Sequence, residues 1–359
     1  MIEQEVKRCG QLRDIMMKHE IDGVLISNGA NMRYISGFCG GTGYLLITKE
    51  KQFIFTDSRY TVQAKEESNT FQTIEVKGAY VEAIEPYLEE EKVKKLGYES
   101  KDFLVYDYQR WKNKMKDISL VPLEDEISML RAIKNPEEIN KMRQAEKIGD
   151  MAFEKILNII KPGMTELQVA AHLEFYMKEF GAEGLSFDTI VASGINSSKP
   201  HAIPGRKVIE KGDFITMDFG CIYEGYCSDM TRTIVVGKAN ERQKEIYQIV
   251  LEAQLAALDF IKAGYTGKEI DRVARDIIQK AGYGNCFGHG LGHSVGLFIH
   301  ENPRLSPKED GIILENMIET VEPGIYVEGF AGVRIEDMVL VTKNGCENLT
   351  QSPKQLIEL

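Results

Sequence analysis

Apolar positions at the start of the chain recur at helical spacing. Val6, Cys9, Leu12, Ile15 and Met16 form one stripe over residues 2–19, which predicts an amphipathic helix. Short runs rich in β-branched and aromatic residues follow at residues 24–27, 44–48 and 52–56. They predict strands separated by Gly- and Asn-containing turns. Helical spacing returns at residues 58–67 and 80–90. The alternation predicts a small α/β domain. Its glycine-rich run, S-G-F-C-G-G-T-G-Y, fits neither G-x-x-x-x-G-K-[ST] nor G-x-G-x-x-G. It reads as a tight turn before a strand.

Beyond residue 123 the texture changes. L-E-D-E-I-S-M-L-R-A-I-K-N-P-E-E-I-N-K-M-R-Q-A reads as a linker running into a long helix. This places a domain boundary near residue 125, giving domains of residues 1–125 and 126–359. K-P-G-M-T-E from Lys161 marks a turn and a new helix, with Thr165 and Gln168 spaced for a capping box. A faint repeat runs through this second part. Ile160-Lys-Pro-Gly-Met-Thr165 resembles Ile261-Lys-Ala-Gly-Tyr-Thr266 at an offset of 101, and His201-Ala-Ile-Pro204 resembles His300-Glu-Asn-Pro303 at 99. Asp218-Phe-Gly220 resembles Glu322-Pro-Gly324 at 104. Three matches in order, at nearly constant offset, predict two similar αβ halves facing a shared cleft, unlike a solenoid with its shorter period.

Composition narrows the class. A length of 359 residues favours two domains over one core. A formal net charge of −11 argues against nucleic acid. The first twenty residues are charged throughout and lack the apolar core of a signal peptide, and no apolar run is long enough to span a membrane. The six cysteines include no C-x-x-C pair, so reduced thiols and a cytoplasmic location are expected.

Chemistry concentrates between Gly288 and Pro303, G-H-G-L-G-H-S-V-G-L-F-I-H-E-N-P, which carries three of the six histidines. The glycines resist helix formation, so this is not a helical H-E-x-x-H site. Four acids join the histidines: Asp218 and Asp229 are 11 residues apart, and Glu322 and Glu336 are 14 apart. Each pair has the form strand, turn, strand. Taken singly, each acid reads as a solvated strand-end carboxylate. Gathered in one cleft, the four would repel and take up protons unless cations neutralised them. Two divalent cations would do so, with His293 completing a set of five ligands. Oxygen-rich ligation with one nitrogen suits manganese, cobalt, iron or zinc. A metal pair of that kind polarises a carbonyl and activates water, which is hydrolase chemistry.

D-F-G…S-D-M-T-R-T, G-H-G-L-G-H-S-V-G, I-H-E-N-P, V-E-P-G-I-Y and R-I-E-D together resemble the metallopeptidases with the creatinase/aminopeptidase, or pita-bread, fold. Within them they resemble the Xaa-Pro peptidase branch, prolidase and aminopeptidase P. The motifs run from Pro200 to Asp337. K-N-P-E-E-I…R-x-A and I-D-G-V-L-I-S…R-Y-I-S-G-F extend the likeness over nearly the whole chain. The resemblance implies an α/β (α+β) architecture: a small N-terminal creatinase-like domain, then a catalytic pita-bread domain with an internal pseudo-twofold repeat.

It also implies a binuclear site of Asp218, Asp229, His293, Glu322 and Glu336, with Asp229 and Glu336 bridging the metals. Asp218 would bind one metal, and His293 with Glu322 the other. Mn²⁺ is the expected metal, with Co²⁺, Zn²⁺ or Fe²⁺ as alternatives. Glu322 would also shuttle a proton, and His201 and His300 would contact substrate and stabilise charge on the carbonyl. Arg304 resembles the prolidase arginine that holds a dipeptide's free carboxylate, a task suited to a guanidinium fork. Arg334 would support the metal site or substrate, with a salt bridge to a ligand carboxylate as the equal alternative. His289 would support the site without ligating metal. His19 and His172 read as surface or packing residues, Tyr223 and Tyr226 as core, and Cys221 and Cys227 as uninvolved.

The implied activity is an Xaa-Pro dipeptidase acting on proline-containing di- or short peptides. Aminopeptidase P is the alternative, and methionine aminopeptidase ranks lower. A non-enzymatic binding module on the same fold is disfavoured by the complete set of ligand residues. A homodimer is implied by the family alone.

Overall fold

In the computed structural model, which describes residues 2–359, the first apolar stripe forms helix α1 (Ile2–Lys18). Cys9, Leu12 and Met16 are buried as the spacing predicts, but Val6 is exposed and Glu5 takes the inward position. Glu5 is tolerated there because its carboxylate accepts hydrogen bonds from the Asn69 and Thr70 amides and the Thr70 hydroxyl. Strand β1 (Gly23–Ile26) follows, then helix α2 (Gly29–Ser36), which the sequence pattern did not reveal. Asn28 caps α2 at its start and Gly37, at φ 79°, ends it in the left-handed region. The glycine-rich run is therefore a helix C-cap and a loop into β2, not a tight turn.

The rest of this unit comprises β2 (Tyr44–Thr48), β3 (Gln52–Thr56), α3 (Thr61–Glu67), β4 (Gln72–Glu75), α4 (Tyr80–Glu90), β5 (Lys95–Glu99), α5 (Val105–Lys114) and β6 (Ser119–Leu123). Helix α3 starts later than expected because the Asp57 carboxylate accepts from the Arg59 amide and guanidinium, closing a turn first. One mixed sheet has the order β4-β3-β2-β1-β5-β6. Val81, Ile84 and Leu88 of α4 and Trp111 of α5 pack on Leu46, Phe53, Phe55 and Leu96 of the sheet. This unit ends at Arg131, a few residues past the expected boundary, and Ala132–Leu359 form the second.

The second unit is built twice over. Helix α6 (Pro136–Leu157) is started by a capping box of Asn135 and Glu138, and α7 (Glu166–Glu179) by one of Thr165 and Gln168. There follow β7 (Gly184–Leu185), β8 (Ile190–Ser193), β9 (Phe214–Phe219), β10 (Cys221–Tyr223), β11 (Tyr226–Cys227) and β12 (Met230–Val235). The pattern then recurs: α8 (Glu241–Phe260) starts at an Asn240–Gln243 box and α9 (Gly267–Lys280) at a Thr266–Glu269 box. Gly163 and Gly264 make the equivalent left-handed turns, at φ 95° and 101°. The second half continues through β13 (Gly292–Ser294), β14 (Glu301–Leu305), β15 (Ile318–Val321), β16 (Gly324–Val327), β17 (Ala331–Arg334), β18 (Asp337–Val341) and β19 (Cys346–Asn348).

Each half sets three antiparallel strands in the same relation, β8-β9-β12 in one and β13-β15-β18 in the other. Strand alternation decides which side chains meet the helices. Ile215, Met217 and Phe219 of β9 pack with Val169, Leu173 and Met177 of α7 in one apolar cluster. Thr216 and Asp218 therefore point to the other face. In the second half, Val321, Val339 and Val341 pack with α8 and α9 through Ile246, Val250, Ile270 and Ile278. An antiparallel bridge between Thr231 and Glu336 joins the two halves.

Candidate metal centre

The faces turned away from the helices enclose a cleft of about 540 Å³, lined by Asp218, Asp229, His293, Glu322 and Glu336. His201, His289, His300, Arg304 and Arg334 line it too. The residues singled out in both halves of the sequence thus lie around one cavity. Asp218 projects from β9, and Asp229 stands just before β12. His293 lies in β13, Glu322 just after β15, and Glu336 between β17 and β18.

The hydrogen bonds aim these groups. The His293 Nδ1–H donates to the Ser294 carbonyl at 3.1 Å. Its Nε2 lone pair is left facing Asp229 and Glu322, each 3.5 Å away. Burial, and then the adjacent His300, lower the His293 pKa to about 3, so the ring stays neutral, the form that can ligate a metal. The Thr231 hydroxyl donates to Glu336 at 2.6 Å and the Thr320 hydroxyl to Glu322 at 3.2 Å. The Asp229 amide donates to buried Glu146 at 3.3 Å. Close backbone approach is required beneath His293, since a Cβ on Gly292 would lie 2.0 Å from the Thr320 carbonyl.

Electrostatically the cleft is built for cations. Burial and then neighbouring carboxylates, Glu336 first, push the Asp229 carboxyl well above its ordinary range. Burial and then Glu322 do the same to Glu336, and burial raises Glu322 to about 8. Asp229, His293 and Glu336 each offer a ligand atom, all within 4.8 Å of one another. Oδ1 of Asp218 is buried without a hydrogen-bond donor. An orphan carboxylate oxygen, mutually repelling acids and an imidazole lone pair in one cavity fit a divalent cation, which satisfies all three.

Arg334 is buried and its guanidinium is engaged. It donates to Asp218 at 2.5 Å, to the Tyr326 hydroxyl at 2.7 Å, to Thr231 at 3.0 Å and to the Pro200 carbonyl at 3.3 Å. The contact to Asp218 is the salt-bridge alternative seen from the sequence. Tyr326 in turn donates to His289 Nε2 at 3.0 Å, because His289 Nδ1 is occupied by the Gly290 carbonyl. Burial and then Arg334 lower the His289 pKa to about 4, so this ring also stays neutral. His300 packs edge-on against His293, with ring centroids 4.5 Å apart, while His201 is exposed at the cleft. Arg304 makes no side-chain hydrogen bond or ion pair among the described residues.

Sequence reasoning missed several supports. Asp271 and Arg275 of α9 form an ion pair that also grips the loop before β13. Arg275 donates to the Phe287 and His289 carbonyls, and Asp271 accepts from the Leu291 amide. Arg232 of β12 is fully buried, pairs with Asp337 at 2.8 Å and donates to the Glu336 carbonyl at 2.6 Å. Tyr226 is buried, with its hydroxyl on Glu138. Cys221 and Cys227 are buried away from the cleft, and His172 is exposed.

The repeated halves and their acid-lined cleft define a class: the chain belongs to metallopeptidase family M24, whose pattern matches residues 140–343. Residues 8–133 match the Creatinase/Prolidase N-terminal domain. Among individual relatives, the chain is 43% identical to the Xaa-Pro dipeptidase of Pyrococcus horikoshii, over 99% of this chain and 99% of the other. The solved Xaa-Pro dipeptidase from Bacillus anthracis superposes with a TM-score of 0.97 at 43% identity, over 99% of this chain and 100% of that one. The X-Pro aminopeptidase from Thermotoga maritima MSB8 gives a TM-score of 0.89 at 42% identity, over 95% and 98%. The two-domain metallopeptidase fold implied by the motifs is thus the fold of the chain. Among the described residues, no helix is long and apolar enough to cross a membrane.

Proposed function

We propose that the protein is a metal-dependent Xaa-Pro dipeptidase that cleaves short peptides at the bond before proline. One observation carries the reading. The cleft that gathers five ligand-type side chains also contains Arg304, a guanidinium with no side-chain hydrogen bond or ion pair among the described residues, whereas the other cleft guanidinium, Arg334, is already engaged by Asp218. A dipeptide ending in proline presents a free carboxylate close to its scissile bond, and Arg304 is suited to hold it. The names of the Pyrococcus and Bacillus relatives support this reading.

We assign Asp218, Asp229, His293, Glu322 and Glu336 as ligands of two divalent cations, with Mn²⁺ expected. Such a pair supplies Lewis-acid polarisation of the carbonyl and a water acidified towards neutral pH. The chain's own residues do the rest. Arg304 sets the position of the proline end. Glu322 takes the proton of the attacking water at its free carboxylate oxygen and passes it to the leaving nitrogen. His201 and His300 donate to the carbonyl oxygen as it gains charge. Arg334 holds Asp218 in place and forms the cleft wall towards substrate. Six free cysteines fit a reducing compartment, so we infer a cytoplasmic location, and a homodimer on the family resemblance alone.

The test is proline release from Ala-Pro or Met-Pro, beside cleavage of Ala-Pro-Ala, by protein stripped of metal and reloaded with Mn²⁺. Mn²⁺-dependent cleavage of the dipeptide is expected. Cleavage of the tripeptide alone would move the assignment to aminopeptidase P, the activity named for the Thermotoga relative. Turnover of neither by metal-loaded protein would overturn the reading.

A further inference from the structure

His201 sits in a long loop between β8 and β9, a poor place for a group that must meet substrate with fixed geometry. The loop is nevertheless stitched down, chiefly by one side chain. Glu166, the first residue of α7, is 1% exposed. Its Oε1 accepts from the Ser193 amide at 2.7 Å, the Ser193 hydroxyl at 3.0 Å and the Asn196 amide group at 3.1 Å. Its Oε2 accepts from the Gly205 amide at 3.2 Å. One carboxylate therefore ties both ends of the segment 193–205 and its short helical turn. The opposite flank is pinned to β17, where the Gly332 amide donates to Ser197 and Arg334 donates to the Pro200 carbonyl.

The internal repeat shows that this acid is not demanded by the fold. The equivalent position in the second half is Gly267, where a Cβ would lie 2.0 Å from the Arg304 carbonyl. There the backbone itself closes against β14; in the first half a side chain spans the gap. We propose that Glu166 is a positioning residue for His201, holding the Ser193–Gly205 loop so that the imidazole stands in the cleft. The inference rests on the peptidase reading, in which His201 meets substrate.

Glu166→Gln tests it, because the amide NH₂ faces N–H donors and one end of the loop is released. Two readouts are taken on the Mn²⁺-loaded protein. Hydrogen exchange over residues 193–205 is expected to rise several-fold, with exchange in the body of α7 unchanged. The kcat/KM for Ala-Pro is expected to fall by about 10- to 100-fold, as for a misplaced catalytic group. In a His201→Ala background the same substitution is expected to cost less than about twofold, since the two act as a unit. Unchanged loop exchange would overturn the proposal, and so would a loss that is fully additive with His201→Ala. If Glu166→Gln does not fold, Asn196→Ala removes a single partner and carries the same cycle, in which full additivity again overturns the proposal. Wild-type protein inactive on every Xaa-Pro peptide would instead sink the peptidase reading, while loop exchange would still decide whether Glu166 holds the loop.

Discussion

Arg304→Ala separates recognition of the peptide's end from everything else in the cleft. The residue lies on β14 with its side chain exposed, and its backbone is held by pairing with His293 of β13. No buried partner depends on the guanidinium, so its removal orphans nothing and the change in stability is expected to stay within about 0.5 kcal/mol. On the proposed role, what is lost is a charge-assisted contact to the substrate carboxylate, about 1.5–3 kcal/mol. At about 1.36 kcal/mol per decade, that is roughly 10- to 150-fold in kcat/KM for Met-Pro. Arg304→Lys keeps the charge without the fork and is expected to fall between the two. The assay compares Met-Pro with its amide, Met-Pro-NH₂, which has no carboxylate. Wild type should prefer the acid by about the factor that the substitution removes, and Arg304→Ala should treat both alike. An equal fall on acid and amide, or a shift in the thermal midpoint of several degrees, would refute a carboxylate-binding role.

Three further outcomes follow from the same geometry. Glu319 is fully buried against the Ser294 hydroxyl, and burial raises its pKa to about 8. The folded state then holds a proton that the unfolded chain releases near pH ~4.3, so stability should fall as pH rises from there towards 8, by up to ~1.36 kcal/mol per pH unit. Glu319→Gln should shrink the loss between pH 5 and pH 8 in urea unfolding of metal-free protein by one group's share, the raised cleft acids keeping theirs; identical losses in both proteins would contradict it. Chelation should lower the thermal midpoint and Mn²⁺ at about 100 times its Kd should restore ~2.7 kcal/mol per site, whereas Asp229→Ala should show no response to Mn²⁺. Gly292→Ala places a Cβ against the Thr320 carbonyl, so β13 must shift; a loss of ~1–3 kcal/mol is expected, with metal content by elemental analysis falling alongside.

Much of the site was legible because its parts obey local rules. Ligand-type residues sit at strand ends, where hydrophobic alternation shows the strand and the acid breaks the pattern. The capping boxes at Thr165 and Thr266 are readable within four residues. What was hidden depends on tertiary burial. Arg232 looks like any charged residue in a strand until the chain near Ser352 folds over it and accepts its hydrogen bonds. Asp271 and Arg275 read as an ordinary helical ion pair, yet they clamp the loop that delivers two histidines. Helix α2 was masked by Gly29 and Asn31 in its first turn, both weak helix formers. Glu166 likewise resembles any helix-start acid, because nothing local announces that a loop 27 residues later will close onto it.

The bridge between Thr231 and Glu336 gives metal content a second meaning. At this seam between the two repeated halves, Thr231 both pairs with Glu336, one of the proposed ligands, and donates to its carboxylate. A slip of one residue along that seam would turn alternate side chains to the opposite face and scatter the ligands. Only chains whose halves are in register would then bring the proposed ligands together. On the proposed ligand set, bound metal would be a proofreader of assembly as well as a reagent, and a preparation's metal stoichiometry would count its correctly closed molecules.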